Sequence, residues 1–560
     1  MTLSAFDLVG DETLEARVCI IGSGAAGITL ASELDGCGSK ILLLEAGGLK
    51  PDRTLDDYYR GTATSPHPAP TEFRRVMFGG TTGIWGGRCV AFDPIDFRAR
   101  DHVLNSGWPI SYEQVAQYYP AAMRYCDAGN FDFSVGGSLR AHVPAIEGFD
   151  GIGADGEQVV LVDRIERYSL PTNFGRRYRK KIRDSQNVAA LVGARCVALR
   201  RAPGSNRVVA AEVADRQGRR RTVRADIFVL ATGGIEVPRL LMLSDREGPG
   251  LGNGTDHLGR YYMCHFENLC GRLVPHGRDV AFEFERTTDG VYCRRQLRFT
   301  AEALQSRRLL NTAFRLHFPS YSDATHRSSV MSAIYLAKSA LLPEYRSILR
   351  ATSDVPPSPS LHHVRNVVAG LPRLARFAAD WMIRIQLARR KLPYTLEPNA
   401  DGTYPVEFNS EQTPLATNRV TLGKEVDTHG LRDVDIRWRV SEFDADAACR
   451  AFVLLRETLN ASGACRLEFD ESRLRERIGG SPPLGGHHMG TARMARSERS
   501  GVVDEHCAVF GVPNVYVASA AVFPTSSHAN PTLTIVALAV RLAAHLRRQL
   551  GPGIVTIARG

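Results

Sequence analysis

An apolar run at Val18–Ile21 meets the glycine-rich stretch Gly22-Ser23-Gly24-Ala25-Ala26-Gly27, and a helical spacing follows at Ile28, Leu30, Ala31 and Leu34. A second apolar run, Ile41–Leu44, ends in Glu45. This order predicts a strand, a tight turn, a helix and a second strand. Two further stretches repeat the strand-to-helix change. ADIFVLATGGIEVPRLLMLS (225–244) reads as a buried strand, then Thr-Gly-Gly, then a helix with Pro238 expected in its first turn. VYVASAAVFPTSSHANPTLTIVALAVRLAAHL (515–546) reads as a strand, a polar turn and a helix opening near Asn530-Pro531. EQTPLATNRVTLGKEVDTHGL (411–431) predicts a strand after Asn418-Arg419, closed by a charged turn.

Residues 362–391 carry apolar side chains at Val364, Val367, Val368, Leu371, Leu374, Ala378, Trp381 and Ile385. That spacing predicts an amphipathic helix, bent at Pro372, with Arg373, Arg376 and Arg384 on another face and Asp380 to offset them. A membrane-surface or partner-docking helix would show this pattern. The preferred expectation is an insertion whose apolar side packs on the core. The preceding DVPPSPSLHH reads as a loop bordering an active-site entrance.

At 560 residues the chain predicts at least two domains, and 44% hydrophobic with 23% charged residues is a globular balance. The net charge of +10 is dispersed, without the basic stripe and interleaved aromatics of a nucleic-acid binder. Eleven scattered cysteines without a C-x-x-C pair exclude a zinc-finger spacing and a disulfide framework, which suits a reducing compartment. The acidic N-terminal stretch lacks the basic and apolar regions of a signal peptide, and no apolar run reaches membrane-spanning length. The expected location is cytoplasmic, with membrane association disfavoured.

In the first unit each residue type has a physical task. Gly22 permits the tight turn, Gly24 lets backbone approach a pyrophosphate at the helix N-terminus, and Gly27 lets helix pack on strand. Glu45 stands where an acid accepts hydrogen bonds from a ribose diol. The fingerprint serves FAD and NAD alike; its place near the start of the chain favours FAD. A second glycine loop, FGGTTGIWGGRCVAFDPIDF (78–97), places two Gly-Gly pairs five residues apart, with Phe78, Ile84 and Trp85 too apolar for an ordinary surface loop.

With these stretches, the motif HHMGT at 487–491 and HANPTLTI at 528–535, the chain resembles the glucose-methanol-choline (GMC) oxidoreductases over nearly its whole length. The resemblance implies an α/β enzyme with a discontinuous, Rossmann-like FAD domain over 1–115, 185–265 and 485–550. A sheet-and-helix substrate domain is implied over 116–184 and 266–484, with the helical insertion around 362–391. It implies oxidation of an alcohol by hydride transfer to flavin N5. The implied cofactor contacts are Gly22, Gly24, Ala25, Ala26, Gly27, Glu45, Ala46, Gly79, Gly80, Thr81, Thr82, Trp85, Gly86, Gly87, Cys196, Val197, Ala231, Thr232, Gly233, Ser519, Asn530, Pro531 and Thr532.

Three positions depart from the family pattern. Ile84 stands where some relatives attach FAD covalently through histidine, so non-covalent FAD is expected. Ser519 replaces a common aspartate, and Gly83 a common asparagine.

The family pairs a histidine from H-x-x-G-T with a His or Asn before the last helix, here His487 and Asn530. Imidazole suits the removal of a hydroxyl proton near neutral pH. His528 is an alternative to Asn530 that fits the motif less well. Adjacent side chains on an extended segment point to opposite faces, so His488 is expected to pack behind His487. His506 and Cys507 have no recognised metal-ligand spacing, and no metal is expected. The resemblance favours a sugar, polyol or cyclitol-like alcohol. It leaves oxygen, a quinone or a protein carrier open as electron acceptor. An FAD-retaining lyase and a membrane-associated dehydrogenase subunit feeding a cytochrome stay open as alternatives.

Overall fold

A computed structural model describes residues 3–5, 13–140, 144–245, 248–341, 358–394, 396–397 and 399–551. Residues 354–357 of the proline-rich lead-in, and residues 1–2 and 6–12 of the N-terminal stretch, lie outside these.

The first of two large sheets is mainly parallel. Its strands run in the order Leu3–Ala5, Val188–Val192, Ile41–Glu45, Leu14–Ile21 and Arg220–Leu230, all parallel, then Val208–Ala214 and Arg195–Arg201, both antiparallel. Val515–Val517 pairs in parallel with the C-terminal end of Arg220–Leu230. Val18–Ile21, Ile41–Leu44 and Phe228–Leu230 are buried without alternation, as strands covered on both faces must be. Helices Ala25–Leu34 and Thr532–Leu550 pack together over this sheet.

The second sheet is antiparallel, in the order Cys465–Glu468, Phe266–Pro275, Tyr404–Ser410, Thr312–Leu316, Tyr292–Phe299, Val160–Tyr168 and Arg88–Cys89. Its side chains alternate. Phe314 and Phe408 meet Phe452 of helix Glu442–Ala461 edge-on, with ring centroids 5.1 and 5.4 Å away. Their neighbours Arg315 and Glu407 form an ion pair with each other, and Arg315 also pairs with Glu166 and Glu267. On the same strand as Glu407, Asn409 donates to the His528 carbonyl at 2.8 Å, tying this sheet to the C-terminal motif.

A small sheet of Gly61–Ala63, Arg432–Arg437 and Arg419–Val426 packs near helix Gly233–Leu243. Its turn residue Asp427 accepts from both Arg195 (2.5 Å) and Arg239 (2.8 Å).

The structure corrects three expectations. Pro238 is the sixth residue of helix Gly233–Leu243, well past the first turn. A proline there removes the N–H that would reach back to Gly234. The Gly234 carbonyl instead accepts from the Thr491 hydroxyl, the threonine of H-x-x-G-T.

Helices Tyr119–Tyr125 and Phe174–Arg183, from the segment expected in the substrate domain, bury Tyr119, Met123, Phe174 and Tyr178 in the first sheet's core. Strand Arg88–Cys89, from the segment expected in the FAD domain, pairs into the second sheet.

Residues 362–391 form helices, broken at Gly370 just before Pro372, but their apolar side does not pack on the core. Leu361, Val364, Val368, Leu371 and Trp381 are exposed. In the first of these helices a polar residue faces the body instead: His363 is buried against Ser332 and the Ser322 carbonyl. Among the described residues no helix is long and apolar enough to cross a membrane.

Candidate active site

A cavity of ≈ 490 Å³ opens between the first sheet's C-terminal strand ends and the second sheet. Gly22, Ser23, Gly24, Ala25, Ala26, Glu45 and Ala46 line one end. The glycines of the turn do three different things. Gly22 has φ of +101°, and a Cβ there would stand 2.6 Å from the Ala231 carbonyl oxygen. A Cβ on Gly27 would stand 1.9 Å from the Gly22 carbonyl oxygen, so strand and helix touch through backbone. A Cβ on Gly24 would meet no protein atom within 4 Å, and Gly24 has no side-chain cap, so the helix N-terminus presents its bare N–H groups to the cavity. Bare N–H groups at a helix N-terminus suit an anionic group such as a pyrophosphate.

Glu45 is more engaged than a free ribose acceptor. It accepts from Ser23 N (3.1 Å), Ser23 Oγ (2.6 Å) and Gly47 N (2.8 Å), and burial raises its carboxyl to about 6.

The second glycine loop forms the cavity's long wall through Gly80, Thr81, Thr82, Ile84, Trp85, Gly86 and Gly87. Trp85 Nε1 donates to the Thr172 carbonyl (2.9 Å), and Thr82 Oγ1 accepts from Phe174 N (3.1 Å), so helix Phe174–Arg183 holds the loop. At Gly83 a Cβ would lie 3.3 Å from the Asn173 amide nitrogen, so an amide from elsewhere in the chain occupies that neighbourhood. Cys196, Ala231, Thr232, Gly233, Ser519, Pro531 and Thr532 also line the cavity. Gly27, Gly79 and Val197 do not. Gly27 and Gly79 press against backbone of neighbouring segments, and Val197 is buried one residue past the lining run Ala194–Cys196.

His487 and Asn530 meet at the far end, with Asn530 Nδ2 3.1 Å from His487 Nε2. The hydrogen-bond chain behind them fixes the tautomers. A carbonyl only accepts, so His265 Nε2, 3.0 Å from the Ser526 oxygen, carries the proton. His265 Nδ1 is then the acceptor for His487 Nδ1–H at 2.9 Å, which leaves His487 Nε2 as a lone pair facing the Asn530 amide. Burial pushes His265 down to about 4, and burial together with the neighbouring His265 and Arg88 holds His487 well below the usual imidazole range. Both rings are neutral at pH 7.

His488 joins a separate network. His67 Nδ1 donates to the Pro68 carbonyl (2.7 Å), so its Nε2 accepts from the Tyr262 hydroxyl (2.8 Å). Tyr262 in turn accepts from His488 Nδ1–H at 2.6 Å. His488 Nε2 is left buried without a hydrogen-bond partner, and the ring borders the same cavity as His487. Ligand atoms of His67, Cys264 and His488 lie within 4.8 Å of one another. The Tyr262 hydroxyl bonds all three, which makes the cluster a hydrogen-bond hub. His528, the weaker alternative, is buried 3.0 Å from Arg298 and 3.6 Å from Asp93, outside the cavity wall.

Arg88, Tyr168 and Tyr394 border the cavity from the second sheet's side. Arg88 lies 3.6 Å from both Glu166 and Glu267. Burial and the neighbouring Glu407 raise the Glu267 carboxyl to about 7. These residues, like His265, Tyr262 and His67, were not singled out from sequence.

A helix-capped dinucleotide cradle joined to a neutral histidine–asparagine pair defines a flavin- or nicotinamide-dependent redox enzyme. Residues 414–539 match the family model described as GMC oxidoreductase. The chain is 23% identical to the 2-methyl-1,2-propanediol dehydrogenase of Mycolicibacterium austroafricanum, over 96% of each chain. It is 22% identical to the fructose dehydrogenase large subunit of Gluconobacter japonicus, over 97% of this chain and all of that one. Its fold is similar to that of a fungal aryl-alcohol oxidase, with a TM-score of 0.53 at 14% identity over 97% of this chain and 100% of that one. The chain is similar to GMC oxidoreductases over nearly its whole length and is an FAD-dependent enzyme that oxidises CH–OH substrates.

Proposed function

We propose that the protein oxidises a polyhydroxylated alcohol, a diol, sugar or cyclitol, with His487 Nε2 taking the hydroxyl proton. The observation that carries this reading is the relay Ser526–His265–His487, which leaves an unprotonated Nε2 beside Asn530 in the cavity that holds the dinucleotide cradle. The flavin supplies the two-electron acceptor for the hydride that leaves the carbinol carbon. Proton loss from oxygen and hydride loss from carbon together leave a carbonyl. His487 Nε2 receives the proton, and the charge that develops on the ring is shared through Nδ1–H with His265. For that transfer the substrate hydroxyl takes the place of the Asn530 N–H on the Nε2 lone pair, and the freed amide N–H holds the substrate oxygen in line.

Arg88 on the cavity wall, with Glu267 behind it, offers donors and acceptors suited to further hydroxyl groups. The diol and sugar dehydrogenases named above favour the same substrate class. Anaerobic mixing of the yellow enzyme with diols, sugars, cyclitols and simple alcohols tests the reading. Bleaching by the polyhydroxylated set is expected, and bleaching by monohydric alcohols alone would overturn the substrate assignment.

FAD is expected to be held without a covalent bond. Ile84 offers no nucleophile, and burial raises the Cys196 thiol to about 12, so it stays protonated. Acid precipitation should leave the yellow colour in the supernatant; a yellow pellet would contradict this.

The pH dependence follows from the sign of the His487 shift. A base whose pKa lies well below 6.5 stays unprotonated as pH falls through the ordinary imidazole range. The bleaching rate at saturating substrate should therefore be flat over roughly pH 6–8, where a solvated histidine would lose activity. An inflection near 6.5 in a stopped-flow profile would point to a different, solvated base.

A further inference from the structure

Eight of the fourteen exposed large hydrophobic residues among those described lie within the arm formed by helices Ser360–Ala369 and Leu371–Trp381 and the π-helical turn Met382–Leu387. Leu361 and Leu387 are each 75% exposed, and Val368, Leu371 and Ile383 more than half. Helix Ser360–Ala369 is amphipathic in the reverse sense of an ordinary surface helix, burying His363 and exposing Leu361, Val364 and Val368. Helix Leu371–Trp381 buries no side chain and half-covers only Leu374 and Phe377. The arm's polar residues grip the body: His363 binds Ser332 and the Ser322 carbonyl, Asn366 donates to the Ala324 carbonyl at 2.8 Å, and Arg373 pairs with Glu397 at 2.7 Å. Most of its large apolar residues face outward, while Val367, Leu374, Phe377 and Ile385 are half-buried.

Charge identifies what the outward face fits. Residues 360–391 hold seven cations and one acid, Asp380, which already lies 3.5 Å from Arg384. Arg365, Arg376, Arg389 and Lys391 have no carboxylate partner among the described residues. Arg365 stands one turn from Leu361 on the apolar face, where its stem can lie along hydrocarbon while the guanidinium reaches outward. Trp381 closes the stripe with a side chain that favours the interface between lipid and water. A second copy docked on the same face would bring two cationic arms together. Neither helix is long enough to span a bilayer.

We propose that this arm docks flat on an anionic lipid surface, its apolar stripe in the acyl boundary and its cations among the headgroups. The chain leads from the arm directly to Tyr394 on the cavity wall, and Arg390 grips the carbonyls of Asp127 and Tyr168 on the way.

Co-sedimentation of the holoenzyme with extruded vesicles tests this. Vesicles of phosphatidylcholine alone are compared with vesicles containing about 30% phosphatidylglycerol, at low and physiological salt. The protein is expected to sediment with the anionic vesicles and to be partly released by salt. A Leu361→Asp/Val368→Asp/Ile383→Asp variant should bind at least about ten-fold more weakly, with its rate of flavin bleaching unchanged. Retention in the supernatant, equal binding to both vesicle types, or a triple variant that sediments like the wild type each overturns the proposal. So does a wild-type dimer that the triple variant converts to monomer while neither binds lipid, which would assign the face to a second copy.

Discussion

His487→Ala is expected to slow flavin bleaching by roughly 100- to 10,000-fold, a barrier increase of about 3–5 kcal/mol. The ring is held from behind by His265 and reaches Asn530 in front, so its removal takes away the lone pair positioned to receive the hydroxyl proton. Asn530→Ala should cost less. An amide is no base near pH 7, but its loss frees both the His487 ring and the substrate oxygen. His488→Ala should cost least, because its ring is tied to Tyr262 and through it to His67, away from Asn530, although it borders the same cavity. The readout is the anaerobic single-turnover rate, which excludes whatever acceptor reoxidises the flavin. FAD content must match the wild type in each variant. If His488→Ala were the crippled variant, the base would be the unpartnered His488 Nε2, and the assignment to His487 would fall.

Gly24→Val should yield a folded but colourless protein. Gly24 has an extended backbone (φ −69°, ψ −168°) that valine accepts, and no protein atom lies within 4 Å of its Cβ position. The added side chain therefore meets only the space in front of the helix N-terminus, where the pyrophosphate needs close backbone approach. Gly27→Val is the control. Its Cβ would collide with the Gly22 carbonyl oxygen at 1.9 Å, so this variant should lose the fold itself. Flavin absorbance per polypeptide and the thermal melt separate the two effects. A Gly24→Val protein with full yellow colour would remove the cradle from the cofactor site.

Local chemistry explains what could be read ahead of the coordinates. Gly22–Gly27, the loop at 79–87 and Asn530-Pro531-Thr532 are contiguous, and their spacing is dictated by one backbone geometry each. Nearly all of them line one cavity. His265, Tyr262 and His67 were hidden for the opposite reason: each is a single polar residue, and only tertiary folding brings it to the HHMGT segment, over about 220 residues in the case of His265. Val197 missed the cavity because the lining run Ala194–Cys196 stops one residue before it, where the strand's register shifts and Val197 is buried. Pro238 misled because a proline in a helix pattern signals the first turn, whereas here the Thr491 hydroxyl satisfies the carbonyl that proline leaves free. The arm at 360–391 misled more deeply. Periodicity locates an apolar face but carries no information about which way that face turns.

The first sheet also sets a schedule for synthesis. Val515–Val517 enters the same sheet as strand Leu14–Ile21 and its glycine turn some 500 residues after them, and His487 and Asn530 emerge on either side of it. At ordinary elongation rates that interval is roughly half a minute to two minutes. Throughout it the nascent dinucleotide turn lacks helix Thr532–Leu550, whose packing on Ala25–Leu34 helps to build the cradle. His487, Asn530 and the helix that packs on the glycine turn are thereby supplied together, by one stretch of chain made long after the turn itself.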